Sequence, residues 1–157
     1  MQIEYLADHP EFTRTLAAWF HAQWGHLSPG RTAEMLAEEL KSHLHHDELP
    51  LALIALSGAE VVGSASLRVH DMHTRRDLSP WLASVYVPAE HRRQGIGARL
   101  VTAIEEKAKA MGFAVLYLWT EEKEHFYAQL GWAVVDRVEY LGEHAVIMQK
   151  QLRNKTA

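Results

Sequence analysis

Arg92, Arg93, Gly95 and Gly97 fall within six residues of one another in EHRRQGIGARL, residues 90–100, in a chain whose formal net charge is −4. The segment follows an apolar run, WLASVYVP, and leads into a stretch of helical periodicity. A strand, glycines and then a helix start can hold an anion, because the first turn of a helix leaves its N–H groups unpaired and carries about half a positive charge. Glycines let a ligand approach the backbone. They also suit a tight turn that binds nothing, but such a turn has no use for Arg92 and Arg93, whose charge would supplement the amides. Two phosphate sites are excluded by spacing. A P-loop needs Lys and then Ser or Thr after its second glycine, and Gly97 is followed by Ala98 and Arg99. A dinucleotide fingerprint needs a third small residue where Leu100 stands, at the start of a parallel fold. Tyr127, in HFYAQLGW, reads from the residues alone as a helix tyrosine packed in the core beside Phe126.

The elements that must carry these groups follow from periodicity and breakers. QIEYLA alternates as a short strand, and Phe12, Leu16, Trp19 and Phe20 fall at helical spacing behind Pro10. After SPGR, TAEMLAEELKSHL predicts a second helix with Met35, Leu36, Leu40 and Leu44 on one side. LPLALIAL and EVVGSASLRVH predict a strand pair joined at SGA. A polar connector, DMHTRRDLSP, then leads to the strand WLASVYV. A helix from about Gly95 to Met111 stops at Gly112; FAVLYLWT is a strand and EKEHFYAQL a short helix. WAVVDRVEY and HAVIMQKQL are a final strand pair. The order β α α β β β α β α β β predicts a mixed α/β fold with residues 1–157 as a single domain.

Composition narrows the function. At 157 residues, 48% hydrophobic and 23% charged, the chain reads as an ordinary globular domain with no excess of basic residues for nucleic acid. Having no cysteine, it has no disulfide, thiolate metal site or cysteine nucleophile. The start, MQIEYLADHPEF, is acidic where a signal peptide would be basic and apolar, and no apolar run nears membrane-spanning length, so a cytoplasmic protein without membrane association is expected. Eleven histidines, including those of HLHHDE and HDMH, show no H-E-x-x-H spacing, so no metal is expected and the first cluster reads as a solvated helix end.

VYVPAEHRRQGIGARLV resembles the core motif of the GNAT N-acetyltransferases, R/Q-x-x-G-x-G/A, with Arg92, Gly95 and Gly97 at its defining positions. HFYAQLGW resembles the same superfamily's second signature, and the resemblance spans essentially the whole chain, with some likeness to a bacterial subgroup and to peptide N-terminal acetyltransferases. It implies the GNAT fold, a mostly antiparallel twisted sheet of about seven strands flanked by about four helices. It implies acetyl-CoA as cosubstrate and transfer to a primary amine of a small molecule or peptide N-terminus by direct attack in a ternary complex; a homodimer is compatible with it. Carried over by residue, Val85, Tyr86 and Val87 would meet the pantetheine arm, and Arg92, Arg93, Gln94, Gly95, Ile96, Gly97 and Ala98 would cradle the pyrophosphate. Tyr127 would contact the cofactor near its sulfur and act as general acid. The acceptor would lie among Trp24, Leu27, Trp81 and Tyr140, with His26 and Trp119 nearby.

One departure stands out. Many relatives carry a basic carboxylate on the strand before the glycines, and WLASVYV has none. The base would then come from the connector, where Asp77 and His73, and beside them His70 and Asp71, are the candidates. The rival function is a non-catalytic acyl-CoA-binding sensor or interaction module.

Overall fold

LALIAL is apolar at every position, so a strand made of it must be covered on both faces. The computed structural model, which describes residues 1–153, satisfies that demand with helices on either side of one sheet. The elements are β1 (Gln2–Tyr5), α1 (Thr13–Trp24), α2 (Ala33–Leu40), β2 (Leu51–Ser57), β3 (Glu60–Arg68), β4 (Trp81–Tyr86), α3 (Ile96–Ala110), β5 (Val115–Thr120), α4 (Glu124–Gln129), β6 (Ala133–Tyr140) and β7 (Glu143–Gln151). The expected order and the seven-stranded α/β architecture are those of the structure. Strands run β1-β2-β3-β4-β5-β7-β6 across the sheet, and every neighbouring pair is antiparallel except β4 with β5.

Alternation along β2 and β3 divides the core. Leu51, Leu53, Ala65 and Leu67 pack with the α3 stripe of Leu100, Val101, Ile104 and Ala108. Ala52, Ile54 and Leu56 pack on the opposite side with Leu16, Ala17 and Phe20 of α1 and Leu40 of α2. A third cluster, Met72, Trp81, Tyr140, Ala145 and Ile147, pins the polar connector to the sheet through Met72. Gly63 allows α3 to lie this close: a Cβ there would be 2.9 Å from Leu100 Cδ1 and 3.0 Å from Ile96 Cγ2.

Local chemistry sets the helix ends. Pro10 starts a single 3-10 turn, and α1 proper begins only at Thr13, whose Oγ1 donates to Pro10 O at 2.6 Å. Thr32 caps α2 by accepting from Met35 N at 3.2 Å. That helix ends sooner than its periodicity predicts, giving way to a 3-10 turn over Lys41–His43, and Met35 is exposed. Gly112, in the left-handed region at φ 95°, ends α3 with Gly112 N donating to Lys109 O and Phe113 N to Ala108 O. Of the cluster expected as a solvated terminus, His46, Asp47 and Glu48 are exposed but His43 is not. His43 is 4% exposed, His45 Nδ1 meets Pro50 O at 2.9 Å and His46 meets Asp8 at 2.7 Å.

Two irregularities open the sheet. β4 and β5 pair at one register position, Trp81 opposite Tyr117, with Tyr117 N donating to Pro80 O at 3.0 Å, and then part. In β4, Tyr86 pairs with Ser64 but Ala83 with Ser66, so Ser84 and Val85 oppose one residue of β3. Ser84 sits at φ 53° in this bulge, a conformation uncommon for a residue with a side chain.

Candidate functional site

A cleft of about 1070 Å³ occupies the wedge where β4 and β5 separate. On one side it is walled by β4 from Leu82 to Tyr86, the loop that follows from Val87, and the start of α3. Arg92 folds back to donate from Nε to Val87 O at 2.9 Å, with its guanidinium 5.8 Å from the centre of the Tyr86 ring. Arg93 and Gly95 are both left-handed, at φ 64° and 78°. Alternation of hand over so short a loop turns backbone N–H groups toward a common concave side. The first helical hydrogen bond runs from Arg99 N to Gly95 O at 3.1 Å, which leaves the N–H groups of Ile96, Gly97 and Ala98 without helical partners. No acidic residue occupies this first turn to compete for an incoming anion. Gly97 has room for a Cβ, with Phe126 3.6 Å away, so its lack of a side chain is not a packing requirement. Of the expected cradle residues, Gln94 lies apart: it lines a separate hollow of about 150 Å³ with Met1 and Ser57.

Tyr127 reaches the same cleft from α4. Edge-on contacts with Phe126, centroids 5.0 Å apart, and Trp132, at 6.1 Å, fix its ring. Burial drives its phenol well above the ordinary range, so the group is a protonated donor at any physiological pH.

The cleft lining is also aromatic and acidic. Trp24, at the end of α1, stands edge-on to Tyr86 at 6.0 Å, and Leu27 follows in the next turn. Tyr140 packs edge-on against Trp119 at 5.2 Å. Trp81, expected as a wall, is instead fully buried and donates from Nε1 to Leu78 O at 2.7 Å; it belongs to the core below the point where the strands part. Ligand atoms of His26, Glu121 and Glu143 come within 4.8 Å of one another at the mouth. Burial, and then Glu143, push the Glu121 carboxyl upward.

The connector candidates separate. Asp77 is held outside by Arg75, at 3.1 and 3.2 Å, and His73 is exposed with Nδ1 2.8 Å from the Tyr140 hydroxyl; neither lines the cleft. Asp71 does. Arg68, at the end of β3, donates from Nη1 to Asp71 Oδ1 at 3.0 Å, from Nη2 to Ser84 Oγ at 3.1 Å, and from Nε to His43 Nε2 at 3.0 Å. Arginine only donates, so the facing His43 nitrogen must be unprotonated. Burial and Arg68 lower His43 to about 4. The Asp71 side chain is 16% exposed, and burial pushes its carboxyl up while Arg68 opposes that shift. The Trp119 indole N–H, buried without a hydrogen bond of ordinary geometry, is near enough to favour the carboxylate slightly. Sequence reasoning missed Arg68, His43 and Glu121. Arg68 alone left a signal, as the charge ending a strand face otherwise made of small Ser64 and Ser66.

Comparison with known proteins bears on the family and the fold. The model of the Acetyltransferase (GNAT) family matches residues 11–132. The mouse protein N-alpha-acetyltransferase 80 is 34% identical over 99 residues, which make up 60% of this chain and 32% of that protein, so the match spans about a third of the relative's length. An aminoglycoside 6'-N-acetyltransferase solved with coenzyme A superposes with a TM-score of 0.77 at 18% identity, covering 100% of both chains. A Salmonella typhimurium protein solved with its cofactor acetyl-CoA gives a TM-score of 0.70 at 17% identity, over 100% of this chain and 96% of the other. No helix among the described residues is long and apolar enough to cross a membrane.

Proposed function

Because the chain belongs to the GNAT acetyltransferase family, we propose that it transfers the acetyl group of acetyl-CoA to a primary amine, on a small molecule or a peptide N-terminus, by direct attack in a ternary complex. The observation that carries this reading is the convergence, on one cleft, of the unpaired α3 amides and the Tyr127 phenol across two parted strands.

The residues fit the cosubstrate. Left-handed Arg93 and Gly95 and side-chain-free Gly97 let a pyrophosphate meet the amides of residues 96–98, with Arg92 and Arg93 adding charge. The parted edge from Val85 to Val87, where β4 ends, is free of a β5 ladder and so can hydrogen-bond an extended pantetheine arm. Tyr127, raised by burial and therefore protonated, serves as the acid for the departing thiolate. Trp24, Leu27, Trp119 and Tyr140 form the acceptor end. Binding both substrates side by side supplies most of the acceleration through proximity and orientation.

The rival, a non-catalytic acyl-CoA sensor, drew its support from the lack of a carboxylate on β4, and the Asp71 carboxylate on the cleft wall weakens that support. Relatives bearing aminoglycoside and N-alpha names define the acceptors to try first. The test measures free CoA released with a panel of amines, amino acids, polyamines, aminoglycosides and short peptides, beside calorimetry with acetyl-CoA. Amine-dependent release is expected. Tight acetyl-CoA binding with no release on any acceptor would favour the sensor.

A further inference from the structure

WLASVYV carries no acidic residue, yet the cleft beside it does contain a carboxylate, brought in from the connector after β3. Asp71 is three residues beyond Arg68, and the Arg68 guanidinium spans Asp71, the Ser84 hydroxyl at the β4 bulge, and His43 from the end of α2. His43 in turn has Nδ1 3.2 Å from Ser42 Oγ. With Nε2 accepting from Arg68, Nδ1 must carry the ring proton and donate it to that hydroxyl. Every member of the network thus has a defined role. Glu39, Glu121 and Glu122 also line the cleft, but Asp71 is the carboxylate that this network ties to the β4 bulge, and it keeps acceptor capacity, since Arg68 engages Oδ1 and a carboxylate can take further donors. Met72, fully buried, anchors the connector next to it.

We propose that Asp71 is the carboxylate that receives the acceptor ammonium and takes its proton, and that Arg68 is the positioning residue that ties it to the bulge of β4. The inference rests on the acetyltransferase reading. In the step, an ammonium N–H bond breaks and its proton passes to Asp71. The freed lone pair forms the C–N bond at the thioester carbonyl, and the C–S bond then breaks. Tyr127 gives its proton to the sulfur and is replenished by the second N–H proton of the new amide nitrogen; Asp71 releases its own proton to water. Ammonium and thioester become amide, thiol and one solvent proton. Burial raises the carboxyl above its ordinary value, which makes it a stronger base, and Arg68 opposes that rise. The groups acting on it are Arg68 from β3, the Trp119 indole from β5 and, behind Arg68, the neutral ring of His43.

The experiment compares wild type with Asp71→Asn, using acetyl-CoA and five acceptors: ethanolamine, spermidine, kanamycin and an alanine tripeptide, all protonated at amines near pH 7, and hydroxylamine, which is already neutral there. Calorimetry with acetyl-CoA verifies that the variant is folded. The expected result is a fall of about 10²-fold or more in kcat/KM for the protonated acceptors that wild type uses, with hydroxylamine turnover and acetyl-CoA affinity within about threefold. Unchanged kcat/KM for the protonated acceptors, or an equal fall for both kinds, would overturn the role of Asp71. Silence of the wild type with every acceptor despite acetyl-CoA binding is a different outcome, which removes the acetyltransferase reading and this inference with it. Arg68→Gln adds an independent readout: losing the cation moves the acid limb of kcat/KM to higher pH, and a limb that stays in place denies Arg68 its positioning role. Should Asp71→Asn not fold, Asp71→Glu keeps the charge and must retain the wild-type preference for protonated acceptors over hydroxylamine.

Discussion

Gly97→Ala and Gly97→Leu together separate a glycine kept for a ligand from one kept for folding. Gly97 is the second residue of α3 and has no left-handed backbone; a Cβ built on it finds Phe126 at 3.6 Å and Val87 at 3.9 Å, both ordinary contacts. Alanine therefore introduces no clash and no strain, and it removes the entropic penalty of glycine in a helix, about 0.5–1 kcal/mol at an interior position and less so near an end. The apo protein should become more stable by up to that amount, raising Tm by about 2–4 °C for a chain of this size. The motif's G/A position admits that methyl group, whereas a larger side chain, as in Gly97→Leu, would stand where a pyrophosphate must approach the amides of residues 96–98. Acetyl-CoA affinity should fall by about tenfold or more in Gly97→Leu, equivalent to about 1.4 kcal/mol or more, and stay within about threefold in Gly97→Ala. Chemical denaturation measures the first effect and calorimetry the second. A Gly97→Leu variant that folds and binds acetyl-CoA normally would refute the cradle, because bulk at this position would then be no obstacle to the pyrophosphate.

Tyr127→Phe should lower kcat by about 10–10³-fold while leaving acetyl-CoA affinity within about twofold; steady-state kinetics with undiminished turnover would remove the phenol from the mechanism. Gly63→Ala puts a methyl group 2.9 Å from Leu100 Cδ1 and 3.3 Å from Tyr86 O, so α3 must shift from the sheet. A loss of about 1–3 kcal/mol in a denaturant titration, with weaker acetyl-CoA binding because the start of α3 moves too, is expected; a loss under about 0.5 kcal/mol would contradict the packing. His43, buried and lowered to about 4, binds its proton more readily when unfolded, at about 6.5, so the unfolded state gains protons as pH falls from 6.5 to 4. Its contribution is complete above 6.5 and declines by up to about 3 kcal/mol by pH 4. Asp71, raised by burial, acts in the opposite sense at acid pH, so the readout is the difference from His43→Gln, which preserves an acceptor for Arg68 but cannot titrate. Superimposable stability profiles for the two proteins would refute the assignment.

The fold was legible because its signals are local. The doubly apolar β2, the α3 stripe and the glycine stops report burial within a few residues, and they recover all seven strands and four helices in order. Where local signals overreached, a tertiary contact decided: α2 stops at Leu40 because Lys41–His43 tighten into a 3-10 turn that delivers His43 to Arg68, a partner 25 residues away.

The site was legible only where it is made of backbone. Glycines and a helix start announce an anion cradle from sequence, because main-chain N–H groups need no side chain to find them. Side chains on the connector gave no comparable signal, since Asp71, His73 and Asp77 look alike in a polar string. Their fates are set by neighbours far along the chain or across the sheet. Buried Met72 fixes the path, Arg68 draws Asp71 toward the cleft, the Tyr140 hydroxyl takes His73, and Arg75 with Asp136 behind it holds Asp77 in solvent. Trp81 shows the same dependence at the level of a single residue. Whether it lines the cleft or supports it turns on where β4 and β5 cease to pair, and they still pair at Trp81 opposite Tyr117. One step later along each strand the ladder is gone, and the adjacent positions, Leu82 and Leu118, line the opening. Residues above that fork line the cleft and Trp81 at it does not, so register, which no composition or period encodes, decides which aromatic residues are open to a ligand.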